Sequence, residues 1–116
     1  MSDTPRTIGV ATIDVTSSTT ADVTQRVISV GKVVVWIVTN CTNSQHTVCV
    51  TNFQAVYPAN GGSDRTFPLQ QENCTGNLGA GKTGVIVARF SGNTGQILTY
   101  DVTIDNTTAA DPELEI

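Results

Sequence analysis

Over most of its length the chain alternates apolar and polar positions with a period of two, as strands with one face on a core do. Arg6–Val15 (RTIGVATIDV) sets Ile8, Val10, Thr12 and Asp14 opposite Thr7, Ala11, Ile13 and Val15, once a slip near Gly9 is allowed. Val23–Val30 (VTQRVISV) is rich in β-branched residues, and Gly31-Lys32 punctuates the chain before Val33–Thr39 (VVVWIVT). That unbroken apolar run predicts a central strand buried on both faces. His46–Tyr57 (HTVCVTNFQAVY) alternates again. Gly84–Phe90 (GVIVARF) and Gln96–Ile104 (QILTYDVTI) are joined by hairpin-turn residues at Ser91–Gly95. Between Pro58 and Leu78 lies a polar stretch anchored by Phe67 and Leu69, and the tail Asp111–Ile116 (DPELEI) predicts a short last strand after Pro112.

No window sustains a helical period for three turns, and no repeat or linker divides the 116 residues. About seven short strands without a helix predict one all-β domain spanning residues 1–116. The expected architecture is a two-sheet Greek-key β-sandwich.

Composition narrows the partners. Charged residues make up 14% of the chain, well below the roughly 25% of ordinary soluble domains, with Thr, Asn, Ser and Gln in their place. A net charge of -4 and scattered basic residues argue against nucleic acid or an anionic membrane as the partner. No segment approaches the ~20 apolar residues of a membrane span. The start, MSDTPRTIGV, lacks the basic and apolar regions of a signal peptide. A cytoplasmic location is therefore expected, or an extracellular or surface one if the chain is a processed form. Asn40, Asn73 and Asn106 each open an N-x-T pattern, read as coincidence in a chain so rich in Asn and Thr.

One motif stands out. GNLGAGKT, Gly76 to Thr83, matches the phosphate-gripping pattern G-x-x-x-x-G-K-[ST]. The motif works only where a buried strand delivers the loop and a helix begins at Lys-Thr. Here PLQQENCT precedes it and the strand-like GVIVARF follows, so the reading is a glycine-rich turn into a strand. Gly79, Gly81 and Lys82 then form a candidate recognition loop whose free N–H groups could meet an anionic side chain of a partner.

With the strands in order, VISVGKVVVWIVTN followed by HTVCV resembles the cupredoxin pattern: a glycine turn, a strand V-x-W-x-x-x-N, then His-x-V. NLGAGKTGVIVARF…GQILTYDV resembles that family's later glycine turn, strand, hairpin and Tyr-x-Cys. The resemblance implies a cupredoxin-like scaffold, with the tail as its last strand, so the fold expected is an all-β Greek-key β-sandwich, cupredoxin-like or immunoglobulin-like. It does not carry the copper site. That site needs two histidines and a thiolate, usually with a methionine. His46 matches one histidine position, Val102 stands where the family has cysteine, and the chain holds no second histidine. His46 thus remains a weak metal candidate, and no cofactor is expected.

Cys41, Cys49 and Cys74 allow at most one disulfide. Cys49 reads as a small buried apolar residue, and Cys41 with Cys74, both in loops, form the expected pair in an oxidising compartment. A zinc set from the cysteines and His46 lacks a familiar spacing, and strand parity turns His46 and Cys49 to opposite faces. Catalysis has one histidine to work with, read as a strand-end residue with a bonded ring nitrogen. Asp101 and Asp105, on one face of the last long strand and ~13 Å apart, are too distant for a paired-carboxylate mechanism. The sequence therefore predicts no enzyme. It predicts a binding or structural module that engages a protein partner, or forms a homo-oligomer, through loops or strand edges. The alternative is a small metal or redox protein using His46 with the cysteines.

Overall fold

The computed structural model describes residues 6–57, 67–68, 72–91 and 96–116. They form an all-β fold of ten strands in two mixed sheets, not closed into a barrel. The strands are β1 (Arg6–Val15), β2 (Ala21–Val23), β3 (Arg26–Asn40), β4 (Val48–Tyr57), β5 (Phe67–Pro68), β6 (Glu72–Cys74), β7 (Thr83–Ser91), β8 (Ile97–Ile104), β9 (Thr107–Ala110) and β10 (Glu113–Glu115). The expected anchor Leu69 and most of the Ser91–Gly95 turn lie outside the described residues, as does much of the stretch from Pro58 to Leu78.

The two segments expected on either side of Gly31-Lys32 are one strand. β3 runs through that point with Lys32 at φ 61°, a left-handed step that turns the strand and shifts its pairing. Before the step, Arg26–Ile28 pairs in parallel with β10. After it, Val33–Thr39 lies between β1, parallel, and β7, antiparallel. The first sheet therefore runs β2-β1-β3-β7-β5, and the second runs from the start of β3 through β10, β8 and β4 to β6, with β9 on β8.

Alternation builds the core between the sheets. Ala11, Ile13 and Val15 of β1, Val34, Trp36 and Val38 of β3, and Ile86, Ala88 and Phe90 of β7 are buried. They meet Val48, Val50 and Phe53 of β4, Leu98, Tyr100, Val102 and Ile104 of β8, and Leu114. In β4 the parity changes between Val50 and Phe53, and Asn52 at φ 56° absorbs the extra residue where the β4–β8 register shifts. Phe53 can then stack on Tyr100, centroids 5.4 Å apart, and meet Phe90 edge-on at 5.5 Å. Trp36 packs its edge on Tyr100 at 5.5 Å and donates its Nε1–H to the Tyr100 hydroxyl at 3.0 Å. That bond gives each buried aromatic its polar partner.

The Val33–Thr39 strand differs from expectation. Val34, Trp36 and Val38 face the core, but Ile37 is exposed and Val33 and Val35 are half-buried. The run is apolar on both faces, yet the second sheet covers only one.

Candidate functional site

Most of the sequence candidates gather where β3 ends. Asn40 is fully buried and acts as the hub there. Its amide donates to the Ser44 and Leu78 carbonyls, both at 2.7 Å, and its Oδ1 accepts from the Thr42 N–H and hydroxyl. Its backbone accepts from Gly81 N–H at 2.8 Å and donates to the Lys82 carbonyl at 2.9 Å. A buried amide with every bond made rigidifies its surroundings. In the sequence Asn40 opens an N-x-T match and closes the V-x-W-x-x-x-N resemblance, and neither pattern assigns it this role. The usable signal was Asn-x-Thr closing an apolar strand, which suits a turn in which the Asn oxygen binds the N–H two residues on. Asn40 and Asn73 are buried, whereas Asn106 is exposed in a turn.

His46 pairs with Leu78 through two backbone hydrogen bonds, which fixes the glycine-rich turn against it. Its ring is 7% exposed, and Nδ1 lies 2.7 Å from Asp105 Oδ2. An ionised carboxylate only accepts, so Nδ1 carries the proton. Asp105 Oδ1 accepts the Thr47 N–H at 2.9 Å. That bond, and after it the bond to His46, hold the Asp105 carboxyl below its ordinary value of 3.8. Asp105 does not share a strand face with Asp101. It and Asn106, at φ 49° and 70°, form the two-residue turn between β8 and β9. Positive φ at both positions is the type I′ hairpin geometry that Asp and Asn tolerate.

Ser44 Oγ sits 3.4 Å from His46 Nε2, completing a hydroxyl–imidazole–carboxylate series. The series borders an open depression of about 630 Å³ lined by residues 16–18, 41–44 and His46. Acyl transfer also needs N–H donors aimed at the developing oxyanion. The N–H groups of Thr42 and Ser44 are already bonded within the loop, to Asn40 Oδ1 and Thr42 Oγ1. What the arrangement does is clamp the β8–β9 turn to the start of β4.

Two sequence expectations are corrected here. Cys74 bonds to Cys49, leaving Cys41 free and exposed. Residues 72–74 form a strand on β4 that sets Cys74 directly opposite Cys49, with Cα atoms 4.0 Å apart, while Cys41 lies beyond the end of β3. Val48 and Thr75, bonded through Thr75 N–H to the Val48 carbonyl and Val48 N–H to Thr75 Oγ1, make the adjoining pair. The cysteines thus occupy a close, non-hydrogen-bonded position suited to a bridge. Two of the three sulfurs proposed to join His46 around a metal are thereby bonded to each other. Among the described residues no three His, Cys, Asp or Glu side chains converge.

The second correction concerns the loop of Gly79, Gly81 and Lys82. Gly81 N–H donates to Asn40 and Lys82 N–H to the Gly79 carbonyl at 3.0 Å, so neither donor is available to an anion. Gly81 holds φ 73°, which a side chain would strain. The residues after Lys82 continue as β7, where a nucleotide loop needs a helix.

A different feature lies on the outer face of the first sheet. Register aligns Ile8, Val33 and Arg89 in one row, Val10, Val35 and Val87 in the next, and Thr12, Ile37 and Val85 in a third. Ile8, Val10, Ile37, Val85 and Val87 are 39–57% exposed. Single exposed apolar residues are ordinary; here five lie together on one face across three adjacent strands. The sequence signal was present in the doubly apolar VVVWIVT, which sequence reading assigned to burial. No family model, curated protein or solved structure matches the chain.

Proposed function

We propose that the chain is a non-catalytic protein-interaction module on a cupredoxin-like or immunoglobulin-like β-sandwich scaffold. The observation that carries this reading is the apolar grid on the outer face of the first sheet. Strand edges are the other candidate surface. Among the described residues β2 pairs with only Ile13–Val15 of β1 and β5 with only Phe90–Ser91 of β7. The remaining edges of β1 and β7 thus offer backbone groups as a second route to another chain, but they carry no side-chain feature that selects a partner as the apolar grid does. At the His46 end the Asn40 amide, the His46 Nδ1 and the Gly81 and Lys82 N–H groups are engaged within the chain, which supports a scaffold role over a reactive one. The Cys49–Cys74 bond favours an oxidising compartment over the cytoplasmic one expected from the sequence.

The test is photo-cross-linking in the native host, with a photoreactive phenylalanine placed at position 87 and, as control, at position 99 on the other sheet. A discrete adduct from position 87 alone, whether with another protein or with the chain itself, is the expected result. No discrete adduct from position 87 overturns the reading.

A further inference from the structure

The geometry points to a second copy of this chain as the occupant of the apolar face, in a two-fold symmetric, face-to-face dimer. This inference rests on the interaction-module reading and names its partner. The argument is the placement of charge around the grid. Strand register puts Asp14, Thr39 and Thr83 in the row beyond Thr12, Ile37 and Val85. The outer face therefore carries Arg89 at one corner, on β7, and Asp14 at the diagonally opposite corner, on β1, with Asp22 of β2 directly beside it adding to the negative charge there. With strands ~4.8 Å apart and ~3.4 Å per residue along them, the two corners are about 22 Å apart. Their midpoint falls on β3 between Val35 and Ile37, the centre of the apolar grid.

A two-fold axis in the plane of the face, through that midpoint and perpendicular to the Asp14–Arg89 line, lays each Arg89 over the other copy's Asp14. The same operation lays the apolar centre on itself. Self-complementarity of this kind is what an isologous interface requires. Neither Asp14 nor Arg89 has an ion-pair partner among the described residues, so both are available to one across the interface. The five exposed apolar side chains with Val33 and Val35 present about 500 Å². With the rim of Thr12, Asp14, Thr39, Thr83 and Arg89 the face approaches the roughly 800 Å² per partner of a standard interface.

Sedimentation equilibrium on the intact chain tests this. The wild type is expected to dimerise in the micromolar range or tighter. Val87→Glu, which sets a charge inside the apolar grid of each face, should weaken the dimer at least about 100-fold without changing near-UV circular dichroism. Asp14→Arg alone, opposing two arginines at each corner, should weaken it about tenfold, as should Arg89→Asp. Combined, the two exchanges should restore the wild-type affinity, a rescue that only reciprocal pairing of these corners gives. A wild type that stays monomeric at about 100 μM overturns the inference, and so does a dimer indifferent to Val87→Glu or a charge exchange without rescue. A monomer whose position 87 still cross-links to another protein ends this inference alone. The absence of any adduct ends the module reading with it.

Discussion

Removing the Cys49–Cys74 bridge is a quantitative test of the assigned pairing. The cysteines are 25 residues apart. Closing a loop of that length removes about 12 cal/mol/K of chain entropy from the unfolded ensemble, or about 3.5 kcal/mol at room temperature. The native state loses little else. Cys74 is exposed, and the hydrogen bonds between Val48 and Thr75 hold β4 and the chain after β6 together without the bridge. The perturbation is Cys74→Ser, compared with reduced wild type, in which no atom is replaced. At a urea dependence of about 1.5 kcal/mol/M the unfolding midpoint should fall by about 2 M in both. Alkylation of native, unreduced protein with iodoacetamide should add one label, at Cys41. A label at Cys49, or midpoint shifts below about 0.5 M in both forms, would refute the pairing and the loop-closure argument respectively.

Two titrations probe the contacts of Tyr100 and Asp105. Burial pushes Tyr100 from 10.0 up to about 12, a rise the Trp36 hydrogen bond only partly offsets. The stabilisation is complete below pH 10 and is lost as pH rises toward 12, a cost of about 3 kcal/mol in alkali. The urea midpoint should fall across that window, and Tyr100→Phe should remove this part of the fall; an identical alkaline loss in the variant counts against it. Asp105 runs the other way. Its stabilisation is present above 3.8 and lost as pH falls through the lower folded-state value. Asp105→Asn keeps a residue that tolerates the positive φ, so its urea midpoint should lie below wild type at neutral pH and converge with it in strong acid. A constant gap across the acid range would show that the carboxylate's bonds to Thr47 and His46 contribute nothing.

Strand existence was legible because burial of one face writes itself as period two, as in Ile13/Val15 and Leu98/Tyr100/Val102. What alternation does not encode is which strand lies opposite which. The partnership of β4 with β6 decides the disulfide, and Cys74 sat in a stretch too polar to read as a strand. Val33–Thr39 was misjudged because an apolar run is consistent with two covered faces or with one covered and one awaiting a partner. The β8–β9 turn carried a signal that went unread: Asp105-Asn106 followed an apolar strand, and both types accept the left-handed conformation. The His46–Asp105 contact spans 59 residues. It follows from bringing the start of β4 to the end of β8, which is a property of topology and not of any local pattern.

β10 lies between the beginning of β3, parallel to it, and β8, antiparallel to it, with Leu114 fully enclosed. A ribosome delivers this interior strand after every other strand named here. Until residues 113–115 emerge, the nascent chain holds a slot one strand wide, with unpaired backbone groups on both walls. An extended apolar segment that reached this position before β10 would compete with it for both neighbours, so mispairing can arise inside this fold as well as at its edges. Three residues thus join the start of β3 to the rest of the second sheet.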